Sequence, residues 1–240
     1  MTHKFTEDGI QSWTANADRW TRAVRNKSIA SRVVATDRAI LDAVAKLKPK
    51  RVLDVGCGEG WLARALANDI RCEIVGVDSC APLIGHARAA HDAGTYLALS
   101  YEEIASGTAR LAGPFDVTVC NFSLLDEDPV PLLAGLRRLM ASGGAVIIQT
   151  VHPLSLGDGV PYADGWRQES FAAFDEAGWA PMPWYFRTFA SWLTVVADAG
   201  LSVSSCSEPR HPETGMPLSL VLECICAGDL PAAGKYGTMP

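Results

Sequence analysis

The chain has 240 residues, of which 48% are hydrophobic and 20% charged, with a formal net charge of −6. That balance fits one globular domain, residues 1–240, large enough to bury its core without disulfides or a structural metal. The acidic charge predicts no broad field for nucleic acid, and no apolar run approaches the ~20 residues that span a bilayer. The first residues lack the apolar core of a signal peptide. Seven cysteines without a CxxC pair are expected as reduced thiols in the cytoplasm.

The first 48 residues are predicted to form a helical cover. Ile10, Trp13, Ala17, Trp20 and Val24 recur at spacings of three and four, one face of a helix, with Thr6 and Asp8 as caps. A second helix carries Ile40, Val44 and Leu47, and Pro49 stops it. From Arg51 short apolar runs alternate with helical stretches: RVLDV, EIVGVD, TYLAL, FDVTVCN and AVIIQTV read as five strands. Apolar strands separated by helices predict a parallel sheet covered on both faces.

Residues 152–186 break the alternation. They hold eight aromatic side chains, together with Gly157, Gly159, Pro161, Pro181 and Pro183. The segment leaves the carboxyl end of the fifth strand, the edge where open α/β sheets bind ligands, and is expected to be a lid or substrate wall. TFASWLTVVADAG then reads as a helix. LSVSSCSEP and SLVLECICA follow as two strands of a hairpin. The expected fold is a doubly wound, Rossmann-like α/β sheet of seven strands, mostly parallel, ending in an antiparallel hairpin.

The strongest chemical signal is VLDVGCGEG, residues 52–60. Asp54 ends a strand, and Gly56, Gly58 and Gly60 follow at alternate positions. Such a turn lets a ligand approach the backbone, and the helix behind it points free N–H groups at the ligand. A dinucleotide fingerprint wants a small residue at position 61, where Trp61 stands. A carboxylate before the glycines suits a cofactor carrying an ammonium group. Asp78 ends the second strand 18 residues after Gly60, where a carboxylate accepts hydrogen bonds from ribose hydroxyls.

With these motifs the chain resembles the class I S-adenosylmethionine-dependent methyltransferases, in the small-molecule group that includes quinone-biosynthesis enzymes. The resemblance covers roughly residues 35–150, then the final helix and hairpin. It implies that Asp54, Gly56, Cys57, Gly58 and Gly60 line the methionine part of the cofactor and that Asp78, with Ser79, grips the ribose. It implies an adenine-side turn at Ser100, Tyr101 and Glu102, and Asn121 and Phe122 beside the methionine end. In similar enzymes an N-terminal helix covers the cofactor, so Trp20 is expected to close on it and Arg25 to pair with its carboxylate. The product would be S-adenosylhomocysteine.

The run Asn121-Phe122-Ser123-Leu124 departs from the motif of amino-methylating DNA enzymes. Asp126, Glu127 and Asp128 read as solvated acids starting a helix rather than metal ligands, so no metal is expected. The acceptor is expected to be a small molecule, planar or apolar, with neither nucleic acid nor membrane as partner, and the chain a monomer or homodimer. Candidate bases are His152 after the fifth strand, His211 in the hairpin loop and Tyr185 at the end of the insertion. Arg187 is a further candidate for binding. The rival reading is a non-catalytic S-adenosylmethionine-binding module that works through a partner.

Overall fold

The computed structural model describes residues 2–92, 94–155, 159–174 and 176–229. The expected Gly157 lies outside them. Among the described residues no helix is long and apolar enough to cross a membrane, and the seven cysteines are unpaired.

A long helix α1 (Thr2–Arg25) is followed by a π-helical turn (Arg32–Thr36) and α2 (Asp37–Lys46). Four β-α units and a fifth strand then build the sheet: β1 (Arg51–Val55), α3 (Trp61–Asp69), β2 (Glu73–Asp78), α4 (Ala81–Ala90), β3 (Thr95–Ala98), α5 (Tyr101–Ser106), β4 (Phe115–Asn121), α6 (Val130–Leu139) and β5 (Met140–Val151). A separate hairpin, β6 (Gly165–Glu169) and β7 (Met182–Phe186), precedes α7 (Phe189–Asp198), β8 (Leu201–Ser207) and β9 (Ser219–Cys226). The main sheet has seven strands in the order β3-β2-β1-β4-β5-β9-β8. The first five run parallel, and β9 lies antiparallel between β5 and β8.

Alternation along β1 shows why the sheet is covered twice. Leu53 and Val55 join one buried cluster with Leu133 of α6 and Val196 of α7. Val52 joins the other with Ile40 of α2, Leu62 of α3 and Ile84 of α4. A period of two thus sends neighbouring residues into opposite layers. The strand order reverses between β1 and β4, so their carboxyl ends open a crevice at the switch point.

Three expectations are corrected. Helix α1 begins at Thr2, so Thr6 and Asp8 lie inside it and do not cap it. Ile10 is 40% exposed, off the packed stripe. Strand β5 starts at Met140, five residues before the expected AVIIQTV run. Its register shifts between Phe115 and Val117, and Gly144 fits because a Cβ there would sit 3.0 Å from the Asp116 carbonyl oxygen. The insertion is not a bare loop. Trp166 stacks edge-on to Tyr185 across β6 and β7, and Phe171 stacks on Trp179 at 4.6 Å between centroids.

Candidate active site

The crevice opens into a cavity of about 530 Å³ at the carboxyl ends of β1, β2, β4 and β5, between the sheet, α1 and the insertion. That is ample for a small molecule. Its floor is the turn after β1, and its far wall is the β6–β7 hairpin.

The turn is held from below by the Val77 carbonyl, which accepts from Gly56 N and Cys57 N at 2.8 and 3.0 Å. Gly56 has φ +73°, and a Cβ there would meet Ser123 Cβ at 2.3 Å. Gly58 has φ +54°, and a Cβ there would meet nothing nearer than the Trp20 indole nitrogen at 3.9 Å. The first glycine is therefore required by packing. The second leaves its backbone bare toward the cavity.

Asp78 accepts from Gly58 N at 2.9 Å with one oxygen and from Cys80 N at 2.8 Å with the other. Each oxygen keeps a lone pair for a ligand, which suits a vicinal diol. Asp54 is 2% exposed, and its Oδ2 has no hydrogen-bond partner. Burial, and then the charge of Asp78, raise its carboxyl from 3.8 to about 7. Asn121 Oδ1, at the end of β4, is likewise buried without a partner. Two orphaned acceptors beside a bare glycine turn call for a cationic donor from a ligand. The residues fit an amino acid–nucleoside cofactor: a diol at Asp78, and an ammonium near Asp54 and Asn121.

Phe122 follows with φ +53°, a left-handed conformation unusual for a bulky side chain. Its N–H donates to the Gln149 carbonyl at 2.7 Å, which fixes the strained turn in the cavity wall. Tyr101 also lines the cavity, and its hydroxyl donates to the Ser123 carbonyl at 2.9 Å. Ser123 Oγ in turn donates to the Val55 carbonyl at 2.7 Å.

The cover is tied at both ends. Trp13 and Trp20 of α1 meet edge to face at 5.1 Å, line the cavity and pack on Ala17, Cys80 and Leu83. Asn16, fully buried, accepts from Ala180 N at 2.8 Å and donates to the Ala180 carbonyl at 2.8 Å. Farther along, Arg22 reaches Glu176 at 2.5 Å, so α1 and the insertion form one roof.

Several expected residues stand elsewhere. The Arg25 guanidinium donates to Glu59 at 2.7 Å and does not line the cavity. Glu59, whose side chain is 0% exposed, also binds Arg64 at 2.6 Å. A buried carboxylate needs such partners, so Arg25 is spent on the turn itself. Arg32, from the π-helical turn, is the cation on the cavity wall. It lies over Trp61 at 4.2 Å and pairs with Asp37 at 2.7 Å.

His152 is buried and off the wall. Its Nδ1 accepts from Leu154 N at 3.2 Å, so its Nε2 donates to Glu208, 2.9 Å away. Both nitrogens are thus engaged in tying β5 to the hairpin loop. His211 Nδ1 accepts from Glu213 N at 3.2 Å and shapes that loop, also away from the cavity. Ser79 and Glu102 are exposed and do not line it either.

Of the acceptor candidates only Tyr185 is on the wall, and its N–H is anchored to the Leu125 carbonyl at 2.7 Å. Arg187 lies behind it, 3% exposed, 4.8 Å from the Tyr185 ring and 5.1 Å from Trp192, donating to the Asp126 carbonyl. Sequence reasoning missed Arg32, Glu59 and Glu169. Arg32 sits in a turn with no motif, and the pairing of Glu59 with Arg25 spans 34 residues.

Comparison with known proteins agrees with this geometry. Residues 52–144 match a family described as a methyltransferase domain. The ubiquinone biosynthesis O-methyltransferase of Paraburkholderia phymatum is 34% identical over 116 residues, 47% of this chain and 49% of that protein. The chain thus spans about half the length of the curated relatives it matches. Two solved structures share the fold over nearly the whole chain. The plantazolicin methyltransferase BamL, in complex with a triazolic desmethylPZN analog and SAH, has a TM-score of 0.65 at 15% identity, covering 94% of this chain and 98% of that one. The Burkholderia thailandensis 1,6-didemethyltoxoflavin-N1-methyltransferase, with 1,6-didemethyltoxoflavin and S-adenosylhomocysteine bound, has a TM-score of 0.64 at 17% identity, covering 93% and 89%.

The matched segment is similar to a methyltransferase domain, and the fold is shared with solved methyltransferases. The curated relatives it matches are ubiquinone biosynthesis O-methyltransferases.

Proposed function

We propose that the protein transfers a methyl group from S-adenosylmethionine to a small, planar acceptor held under the β6–β7 hairpin. The observation that carries this is one cavity with two chemistries: a bare glycine turn and orphaned acceptors at one end, an aromatic chamber at the other. The molecules bound in the two structural neighbours, a triazolic desmethylPZN analog and 1,6-didemethyltoxoflavin, support the acceptor class.

S-adenosylmethionine, when bound, supplies a sulfonium-activated methyl carbon open to in-line displacement by an acceptor lone pair. Asp78 would take the ribose hydroxyls and the turn Gly56–Gly58 the methionine backbone. Asp54 and Asn121 would receive the ammonium, and Arg32 stands where it can take the carboxylate. Tyr101 would border the adenine. Trp20, Phe122 and Trp184 exclude water and hold the acceptor flat, which lowers the entropic part of the barrier. Neither His152 nor His211 lines the cavity, so among the described residues its wall carries no imidazole base. An acceptor of this enzyme would bring a lone pair that is nucleophilic without one.

A net charge of −6 supports a small-molecule acceptor over nucleic acid, and unpaired thiols support a cytoplasmic setting. The test is to incubate the protein with S-adenosylmethionine and a panel of hydroxy- and amino-substituted aromatic rings, measuring S-adenosylhomocysteine. Homocysteine-nucleoside product formed with a matching methylated ring is expected. Tight cofactor binding with no turnover on any ring would favour a non-catalytic module.

A further inference from the structure

The two halves of the cavity differ in charge. The half at the glycine turn holds Arg32, Glu59 and Asp78. The half under the hairpin is walled by Phe171, Phe174, Trp184 and Tyr185, and among the described residues its only carboxylate is Glu169, with no Lys, Arg or His.

Glu169 ends β6 opposite Met182. Its Oε1 accepts from Phe171 N at 2.5 Å, which ties the carboxylate to the turn that follows β6. The nearby cations are engaged elsewhere. Arg187 lies off the cavity wall, behind Tyr185, with one nitrogen on the Asp126 carbonyl and its Nη1 buried without a hydrogen-bond partner, and Arg32 lies over Trp61 and on Asp37. Nothing on this wall would pair with an anionic substituent, which would lose its hydration without compensation. The Glu169 carboxylate, on an exposed residue of this wall, attracts a cation or an N–H donor instead. The faces of Trp184 and Tyr185 add to that attraction.

Given methyl transfer in this cavity, we infer that Glu169 selects the acceptor by charge. The acceptor is a planar ring system bearing a protonated or N–H-bearing nitrogen that Glu169 receives, and rings bearing a carboxylate or phosphate are rejected. Glu169 is a specificity residue, and the cofactor half does not depend on it.

The test uses two rings of one shape and opposite charge, 4-aminoquinoline and quinoline-4-carboxylate, titrated calorimetrically into protein saturated with S-adenosylhomocysteine. The amine should bind at least about tenfold more tightly, the worth of one charge-assisted hydrogen bond. Glu169→Gln should bring the two within about threefold, and Glu169→Lys should invert the order, both with wild-type affinity for S-adenosylhomocysteine. Equal or tighter binding of the carboxylate by the wild type overturns the inference. So does a ratio unchanged in Glu169→Gln, or binding of neither ring. Failure of S-adenosylhomocysteine itself to bind would instead overturn the methyltransferase assignment, and the charge ratio would still be read on the cofactor-free protein.

Discussion

Three residues are proposed to carry separable parts of cofactor binding. Asp78 accepts two backbone N–H groups and keeps lone pairs for two hydroxyls. Charge-assisted hydrogen bonds contribute ~1.5–3 kcal/mol each, so Asp78→Ala should weaken S-adenosylhomocysteine binding at least about tenfold. Calorimetry checks this, with circular dichroism as the fold control. Gly58→Val should abolish binding, because valine resists φ +54° and its side chain would enter the ligand space. Normal affinity in that variant would place the site elsewhere. Asp54 makes a pH prediction. Its folded carboxyl at about 7 lies above the ordinary 3.8, so the folded state keeps a proton that the unfolded chain loses between those values. Its contribution to ligand-free stability therefore declines as pH rises from about 4 to 7. A cation bound beside it favours the ionised form, so cofactor affinity should rise over the same interval with proton release. Titration in buffers of different ionisation enthalpy at pH ~6 measures that proton, and Asp54→Asn should remove it.

At the scale of elements, the roof is two pieces, α1 and the insertion, whose most buried tie is Asn16. Asn16 gives Ala180 both a donor and an acceptor, as a neighbouring strand would. Asn16→Ala leaves the Ala180 N–H without a partner, while its carbonyl keeps the Ser12 hydroxyl at 3.1 Å, at a cost of about 1–3 kcal/mol. The expected result is a lower melting temperature and faster proteolysis in the insertion; unchanged values would mean that α1 and the hairpin are held by other contacts. Trp184→Ala should impair acceptor turnover much more than cofactor affinity, since Trp184 lines the hairpin half and the turn lies at the other end. Equal losses in both would show that the two halves are not independent.

For the whole molecule, what was legible in the sequence was local. The turn at Gly56–Gly60 and the carboxylate at Asp78 are short motifs whose chemistry follows from spacing. The sheet follows from apolar runs broken by helices. What was not legible depends on partners far apart in the chain. Arg25 was expected on the cofactor and lies on Glu59, because a buried carboxylate 34 residues away needed it. His152 has the placement of a base but is engaged by Glu208, 56 residues later. The β6–β7 hairpin escaped notice because Pro161, Pro181 and Pro183 mask its alternation, although cross-strand pairs such as Trp166 with Tyr185 hold it together.

These long-range contacts place a cofactor floor and an aromatic chamber in one cavity, and that continuity is the central claim. A crystal structure with S-adenosylhomocysteine bound tests it most directly. The account predicts the ribose on Asp78, the amino group toward Asp54 and Asn121, and the sulfur beside Phe122, facing the chamber walled by Trp184 and Tyr185. An adenosyl group away from Asp78, or a sulfur sealed off from the hairpin by the sheet or by α1, would contradict it.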